Sequence, residues 1–238
     1  MFMRGNIKLG LGIGVWSLPA IETCPGRTIV CESICYADRG RFLGPSVRRR
    51  LKRNWKEARK KNFVSRAIAE LRRARYRIFR IHAAGDFENA AYVRKWIRIV
   101  KALPWIRFYA YTRSWRVDRM LKSLQELAAL PNMQLWYSAD ACSGRPPRHT
   151  GVRSCYLARH DADMPPYRVD LVFRDRHDSV MKFTPDGSLV CPYENGVTQI
   201  TCRKCSVCWN DREVKEKPRG AGIPRGVVLH SITPLSVG

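Results

Sequence analysis

"RIFRIHAAGDFENAAYVRKWIRIVKALPWIRFYAYTRS", residues 77–114, decides the fold. Residues 77–87 read as a strand that ends in a Gly-Asp turn, because the apolar pattern stops there. Residues 88–104 place apolar side chains at three- and four-residue spacing, which predicts an amphipathic helix. Residues 106–114 read as a second strand. A strand, a crossover helix and another strand at this spacing indicate a parallel βαβ unit.

The same pattern continues on both sides of this unit. Residues 117–131 predict a helix and residues 133–141 a strand, while residues 7–19 supply an earlier strand. We count about four strand–helix repeats, which predicts an α/β fold with parallel strands, a partial or full β/α barrel. An open, doubly wound sheet is the alternative. Residues 168–175 and 227–232 can supply two further strands.

The chain has 238 residues, which suits one domain with an appendage. We expect residues 1–160 to form the barrel-like core, with an N-terminal cysteine loop and basic helices. Residues 161–238 then form a C-terminal segment with four cysteines that packs on this core. We expect a cytoplasmic protein without a membrane span, because glycines interrupt the apolar N-terminal run and no apolar stretch reaches 18 residues.

Basic residues outnumber acidic ones by 44 to 20, giving a net charge of +24. Such a surplus favours nucleic acid, DNA or RNA, as the partner, although a bias towards arginine codons would also raise it. The charge is densest in residues 46–77, where helical periodicity predicts two helices with a break at Asn62. We expect these helices to face phosphates with Arg48, Arg49, Arg50, Lys52, Arg53, Lys56, Arg59, Lys60, Lys61, Arg72 and Arg73.

Polar residues follow the predicted strands at their carboxyl ends, where β/α folds place their active sites. A carboxylate there can act as a base or bind a ribose, and an aromatic ring can stack a base. The aspartates can also be simple turn or helix-cap residues. The candidate catalytic residues are His82, Asp86, Tyr111, Thr112 and Asp140.

Three cysteines lie close together after the first strand, in "CPGRTIVCESICYADRGRF", residues 24–42. Cys24, Cys31 and Cys35 have no fourth cysteine of their own, whereas a tetrahedral metal site or a cubane cluster normally has four protein ligands. Either Cys142 or Cys155 completes the set, or one position stays open for substrate, cofactor or water. Nine cysteines in a reducing compartment point to metal or catalysis rather than to disulfides.

A second cysteine group has the spacing C-x10-C-x2-C-x2-C and consists of Cys191, Cys202, Cys205 and Cys208. Four thiolates suit a closed zinc site that stabilises a small ribbon-like segment. The tight C-x2-C-x2-C run also suits an iron–sulfur cubane. The sequence leaves both metals open. It also leaves open whether the seven cysteines form two sites or share one.

Several motifs in order resemble the phage-associated gene-product-88 family, from about Gly10 to Cys208. They are "LGIGVWSLPA", "CYADRGRF", "RIHAAGDF", "FYAYTRS" and "TCRKCSVCW". The resemblance implies a phage or prophage protein in the bacterial cytoplasm, with the seven cysteines as motif positions. Three thiolates after the first strand also distantly resemble radical S-adenosylmethionine enzymes. The cysteine spacing of those enzymes is usually C-x3-C-x2-C, whereas Cys24, Cys31 and Cys35 have the spacing C-x6-C-x3-C.

Two functions compete. In the first, an iron–sulfur enzyme with one or two 4Fe–4S clusters, and possible use of S-adenosylmethionine, modifies nucleic acid at the mouth of the barrel. In the second, a non-catalytic protein stabilised by zinc or a cluster binds nucleic acid as a regulator or host-takeover factor. The chain lacks GxxxxGK[ST], HExxH and GxSxG motifs, so it shows no signature of a P-loop NTPase, zincin or serine hydrolase.

Overall fold

The computed structural model describes residues 1–6, 8–176, 179–195 and 200–210. The strands are β1 (Met3–Arg4), β2 (Ile13–Val15), β3 (Ile78–Ile81), β4 (Arg107–Thr112), β5 (Met133–Ala139), β6 (Val152–Ala158) and β7 (Leu171–Arg174). The α-helices are α1 (Ile29–Ser33), α2 (Pro45–Arg59), α3 (Phe63–Ala74), α4 (Ala90–Lys101), α5 (Asp118–Ala128) and α6 (Cys202–Cys205). Short 3₁₀ turns cover Tyr36–Asp38, Gly40–Leu43 and Ser114–Arg116.

The seven strands form one sheet in which each strand neighbours the next in sequence. β1 runs antiparallel to β2, and every later pair is parallel. The register pairs Phe79 with Phe108 and Tyr111 with Trp136. Since the order never reverses, the described sheet has no topological switch point of the kind that defines a doubly wound fold. No pairing between β7 and β1 closes it among the described residues.

Helices α2 to α5 cover one face of the sheet, which we call the outer face. Their apolar stripes pack on the strands in one large core in which Trp96, Phe79 and Leu135 are fully buried. Each of these side chains contributes about 1.5–3 kcal/mol by leaving water. Asn89 is the N-cap of α4, and its side chain accepts a hydrogen bond from the Tyr92 amide.

The C-terminal cysteine segment covers the other, inner face. Cys205 and Val207 pack with Trp136 and Leu171 in a second core cluster. The Trp136 indole N–H donates to the Cys208 carbonyl over 2.8 Å, which ties this segment to β5. The described residues of this segment, 161–176, 179–195 and 200–210, are therefore packed on the sheet as part of the fold.

The structure confirms the α/β class and the parallel strands predicted at 77–87, 106–114, 133–141 and 168–175. The predicted break at Asn62 is confirmed as the N-cap position of α3. Barrel closure is not shown. The strand predicted at 227–232 lies outside the described residues.

β6 was not predicted, because the connection that precedes it, residues 140–151, contains no helix. Its position between β5 and β7 completes the parallel order. None of the described helices is long and apolar enough to cross a membrane.

Candidate functional site

The first cysteine group lies at the carboxyl end of the sheet, in the loop between β2 and α2. Thr28 caps α1 by accepting a hydrogen bond from the Cys31 amide over 3.0 Å. The same hydroxyl donates to the Asp140 carboxylate over 2.5 Å, so it joins the loop to the end of β5. The loop also touches the end of β4, because a Cβ on Gly26 would come within 2.0 Å of the Arg113 carbonyl oxygen.

Asp86 organises the end of β3 next to this loop. Its Oδ1 accepts from the Thr112 hydroxyl over 2.6 Å and from the Phe87 amide over 2.7 Å. Its Oδ2 accepts from the Arg113 amide over 2.8 Å. Burial raises the pKa of Asp86, against the three donors that favour the ionised form. Asp86 and Thr112 therefore meet, as the strand-end argument predicts.

Asp140 forms a buried ion pair with Arg113 at 3.2 Å, and both side chains are almost inaccessible to solvent. The Arg113 guanidinium also donates to the carbonyl oxygens of Ser138 and Ala139. Because Arg113 is fully engaged at the end of β5, it holds β4, β5 and the cysteine loop in one arrangement.

The three thiols lie close enough to influence one another and these carboxylates. Burial raises the pKa of each thiol. The Asp86 carboxylate raises the pKa of Cys24 further, whereas the Arg113 guanidinium opposes the rise at Cys31. We call Cys24, Cys31 and Cys35, with the carboxylates of Asp86 and Asp140, the thiol site.

The second cysteine group lies on the inner face of the sheet. Cys191 follows β7 and donates its amide to the Val172 carbonyl over 2.8 Å. Thr201 caps α6, which carries Cys202 and Cys205. Burial raises the pKa of Cys208 to about 12, with Cys202 and Cys205 adding to the rise. The two cysteine groups therefore lie at different parts of the sheet, the first at its carboxyl edge and the second on its inner face.

Neither group is arranged as a ready-made metal site. Within the described ranges, no three His, Cys, Asp or Glu side chains are gathered closely enough to hold a metal ion. Metal binding would have to draw the thiols of either group together. Of the two candidates for a fourth ligand, Cys142 is exposed on the loop after β5, where its amide donates to the Asp140 carboxylate over 2.9 Å. Cys155 is buried on β6 near Ser138.

Two candidate catalytic residues lie apart from the thiol site. Tyr111 faces the second cysteine group, stacked on Trp136 with ring centroids 5.5 Å apart. His82 is buried among aromatic rings, and its Nε2 lies 3.1 Å from the Tyr92 hydroxyl. The backbone φ of His82 is 63°, so its side chain points in a different direction from that of a residue with ordinary extended backbone at the end of a strand. This placement favours a structural role for His82.

The basic helix α2 lies against the same edge of the sheet as the thiol site. The Asn54 side chain donates to the carbonyl of Ser17, which follows β2, over 3.0 Å. The Trp55 indole donates to the carboxylate of Glu88, which follows β3, over 2.7 Å. α2 buries Leu51 and Ala58 on its inner side. Its opposite side, the α2 basic face, consists of Arg49, Lys52, Arg53 and Lys56.

All eleven predicted phosphate-facing residues are exposed. Three form ion pairs: Arg48 with Asp38, Arg59 with Glu88, and Lys60 with Glu57. The other eight have no ion pair in the described part of the chain. Arg72 and Arg73 lie in the last turn of α3, which leads to the amino end of β3, so the structure separates these two from the α2 basic face.

Sequence reasoning missed Thr28 as a member of the site. Its signal was present, because a threonine directly before a short apolar run is a typical N-cap. The contact with Asp140, 112 residues away, is a product of the fold alone.

The fold and the two cysteine groups define an α/β protein with a seven-stranded, mostly parallel sheet, thiols at its carboxyl edge and thiols on its inner face. Basic side chains cover the neighbouring helix. The chain belongs to the Gene product 88 family, whose model matches residues 1–211.

Two relatives are phage proteins. The chain is 27% identical over 227 residues to the Gene 88 protein of Mycobacterium phage L5, which covers 87% of each chain. It is 28% identical over 149 residues to the Gene 88 protein of Mycobacterium phage D29, which covers 57% of this chain and 60% of that one. No solved structure matches the chain. The resemblance to radical S-adenosylmethionine enzymes therefore stays a prediction.

Proposed function

We propose that this phage-family protein is an iron–sulfur protein of the host cytoplasm that binds nucleic acid through the α2 basic face and modifies it at the thiol site. One observation carries the proposal. Asn54 and Trp55 hold α2 against the residues that follow β2 and β3, the edge where Cys24 and Asp86 lie. A strand bound along α2 is thereby brought to the thiol site.

The charge of α2 supports the binding half of the proposal. Its four outward cations have no carboxylate partner in the described chain, so they are available for phosphates. Phosphate contacts of this kind position a nucleic acid without reading its sequence. DNA and RNA are both compatible with this surface.

The donor chemistry supports a cluster at the thiol site. Thiolates are the ligands that iron–sulfur clusters and zinc take in proteins. Cys31 lies on α1 and Cys35 lies two residues beyond its end, just before the 3₁₀ turn Tyr36–Asp38. The two thiols are close enough for the charge of Cys35 to raise the pKa of Cys31. A cluster held by three cysteines would leave one iron free for substrate or S-adenosylmethionine.

The surrounding residues have separate tasks in this proposal. Arg113 offsets the negative charge of the thiolates and of Asp140, and its bonds to β5 keep the site in place. Asp86 fixes the ends of β3 and β4 through Thr112 and the Arg113 amide. The second cysteine group holds a structural metal that fastens the C-terminal segment inside a partial barrel.

One observation favours the non-catalytic alternative. Both carboxylates of the thiol site already accept hydrogen bonds from neighbouring residues, and His82 and Tyr111 lie elsewhere. Carboxylates bonded in this way can have a purely structural role, which is to fix the loops that follow the strands. In that case the protein binds nucleic acid and its metals are structural.

Nucleoside analysis separates the two. DNA and RNA from bacteria that express the protein are digested and compared by mass spectrometry with those from cells that express Cys31→Ser. The proposal predicts a modified nucleoside that disappears in the variant and persists with Cys142→Ser, the matched loss of a thiol outside both groups. Identical nucleosides in all samples, with nucleic-acid binding intact, would leave the protein a binder.

A further inference from the structure

A cavity of about 400 Å³ lies on the outer face of the sheet, and none of its lining residues belongs to the thiol site. α4 and α5 cover the strands that they connect, but residues 140–151, between β5 and β6, contain no helix. No helix therefore covers the outer face of β6 beyond α5. The opening is as large as a typical small-ligand pocket, which spans about 300–1,000 Å³.

The cavity is strongly positive. Arg145, Arg148 and Arg168 line it and are exposed. In the described part of the chain, none of the three pairs with a carboxylate. Asp170 is the one acidic lining residue, and its carboxylate accepts bonds from the Ser154 amide and hydroxyl. Three unneutralised guanidinium groups around one space attract an anion, and their planar forks match the oxygens of a phosphate.

A buried phenol adds a donor inside the cavity. Tyr137 is 1% exposed, lines the cavity, and its hydroxyl has no hydrogen-bond partner in the described structure. Buried hydroxyls without a partner are uncommon in proteins, so this one is a candidate donor for a ligand. Burial raises the pKa of Tyr137 to about 12, which keeps the proton on the oxygen at neutral pH.

Aromatic rings form part of the wall. Tyr167 lies under the Arg145 guanidinium, 5.1 Å from the ring centroid, and His149 meets the Tyr137 ring edge-on at 6.0 Å. An arginine held over a ring is pre-oriented, and flat apolar surfaces beside it suit a planar base.

We propose that this cavity binds a nucleotide by its phosphate, through Arg145, Arg148 and Arg168, with the Tyr137 hydroxyl as a further donor. The ligand is either a free nucleoside monophosphate or the phosphorylated 5′ end of a nucleic-acid strand. No cysteine lines the cavity, so this proposal can be tested separately from the iron–sulfur proposal.

Calorimetry on the full chain tests the site with three probes: nucleoside monophosphates, a 5′-phosphorylated oligonucleotide and the same oligonucleotide with a 5′ hydroxyl. The triple variant Arg145→Gln, Arg148→Gln, Arg168→Gln is compared with Arg72→Gln, Arg73→Gln, Arg98→Gln, which removes three exposed arginines elsewhere. We expect a loss of about tenfold or more for each guanidinium removed from the cavity, and little change in the control.

Binding of a monophosphate that the cavity variant loses identifies a free nucleotide as the ligand. Binding that requires the 5′ phosphate of the oligonucleotide, and that the cavity variant loses, identifies a strand end. Tyr137→Phe should weaken binding without lowering the melting temperature of the free protein, because the hydroxyl has no partner to lose. The proposal is overturned if no probe binds, or if both triple variants bind alike.

Discussion

Removing the charges of the α2 basic face should abolish most of the affinity for nucleic acid. The perturbation is the quadruple change of Arg49, Lys52, Arg53 and Lys56 to glutamine, a good helix former that keeps α2 intact. These side chains point away from the buried positions of α2 and have no ion pairs to lose within the described residues. We therefore expect the fold to survive the change.

The magnitude follows from counterion release. If each of the four cations contacts one phosphate of duplex DNA, their loss reduces the slope of log K against log salt by about 0.9 × 4, or about 3.6. At 0.1 M salt a slope change of this size corresponds to a loss of about 10³–10⁴-fold in affinity. On single strands the reduction in slope is about 0.7 × 4, or about 2.8.

The assay is fluorescence anisotropy with labelled oligonucleotides at several salt concentrations. The matched control removes four exposed charges at the ends of α3 and α4, with Arg72, Arg73, Arg98 and Lys101 changed to glutamine. These residues lie at the opposite edge of the sheet from the thiol site. The reasoning is refuted if the slope of the α2 variant equals that of the wild type, or if both variants lose the same amount.

Three further predictions concern the proposed metal sites, the cysteine loop and the core. Cys208→Ser should lower the melting temperature of metal-loaded protein by many degrees and leave that of chelator-treated protein unchanged, because the free energy of metal binding adds to the stability of the folded state. Equal losses in both forms would show that Cys208 contributes by packing alone. Gly26→Ala should destabilise the protein by about 1–3 kcal/mol in urea unfolding, since its Cβ would overlap the Arg113 carbonyl; an unchanged midpoint would show that the loop can move away. Burial lowers the pKa of His82 to about 3, so between pH 6.5 and 3 the imidazole is protonated in the unfolded chain and neutral in the folded one. The free energy of unfolding should therefore fall by about 4–5 kcal/mol as the pH drops from 6.5 to 3. His82→Gln should lose this part of the pH dependence, and an equally steep curve in that variant would assign it to other groups.

The strands and helices on either side of residues 77–114 could be predicted because their patterns are local. α4 and α5 repeat apolar side chains at helical spacing, and β3 to β5 are mostly apolar and are followed by polar residues. β6 escaped prediction for the opposite reason. It contains the polar residues Arg153 and Ser154, and no helix precedes it, whereas a helix normally connects two neighbouring parallel strands.

The site was predictable in its residue types and not in its grouping. Asp86 and Thr112 meet because the ends of neighbouring parallel strands share an edge, which is a rule of the fold. His82 breaks that rule through its positive φ, which no sequence pattern reveals. Tyr111 alternates to the inner face of β4, one position away from Thr112, so neighbours in sequence serve opposite sides of the sheet.

The partition of the cysteines is also a consequence of the fold. The spacing in sequence allows seven thiols to share one centre. In the structure, three lie at the carboxyl edge and four on the inner face, with Cys191 brought to α6 by its position after β7. Only the course of the chain around the sheet separates the two groups.

The most direct test of the central claim is the metal content of anaerobically purified protein, measured as iron, acid-labile sulfide and zinc together with the absorption spectrum. The account predicts a brown wild-type protein, and loss of about four irons when Cys24, Cys31 and Cys35 are changed to serine, as for one cubane cluster. Cys142→Ser should keep the full content. A colourless wild-type protein, or iron that is unchanged in the triple variant, would contradict an iron–sulfur cluster at the thiol site.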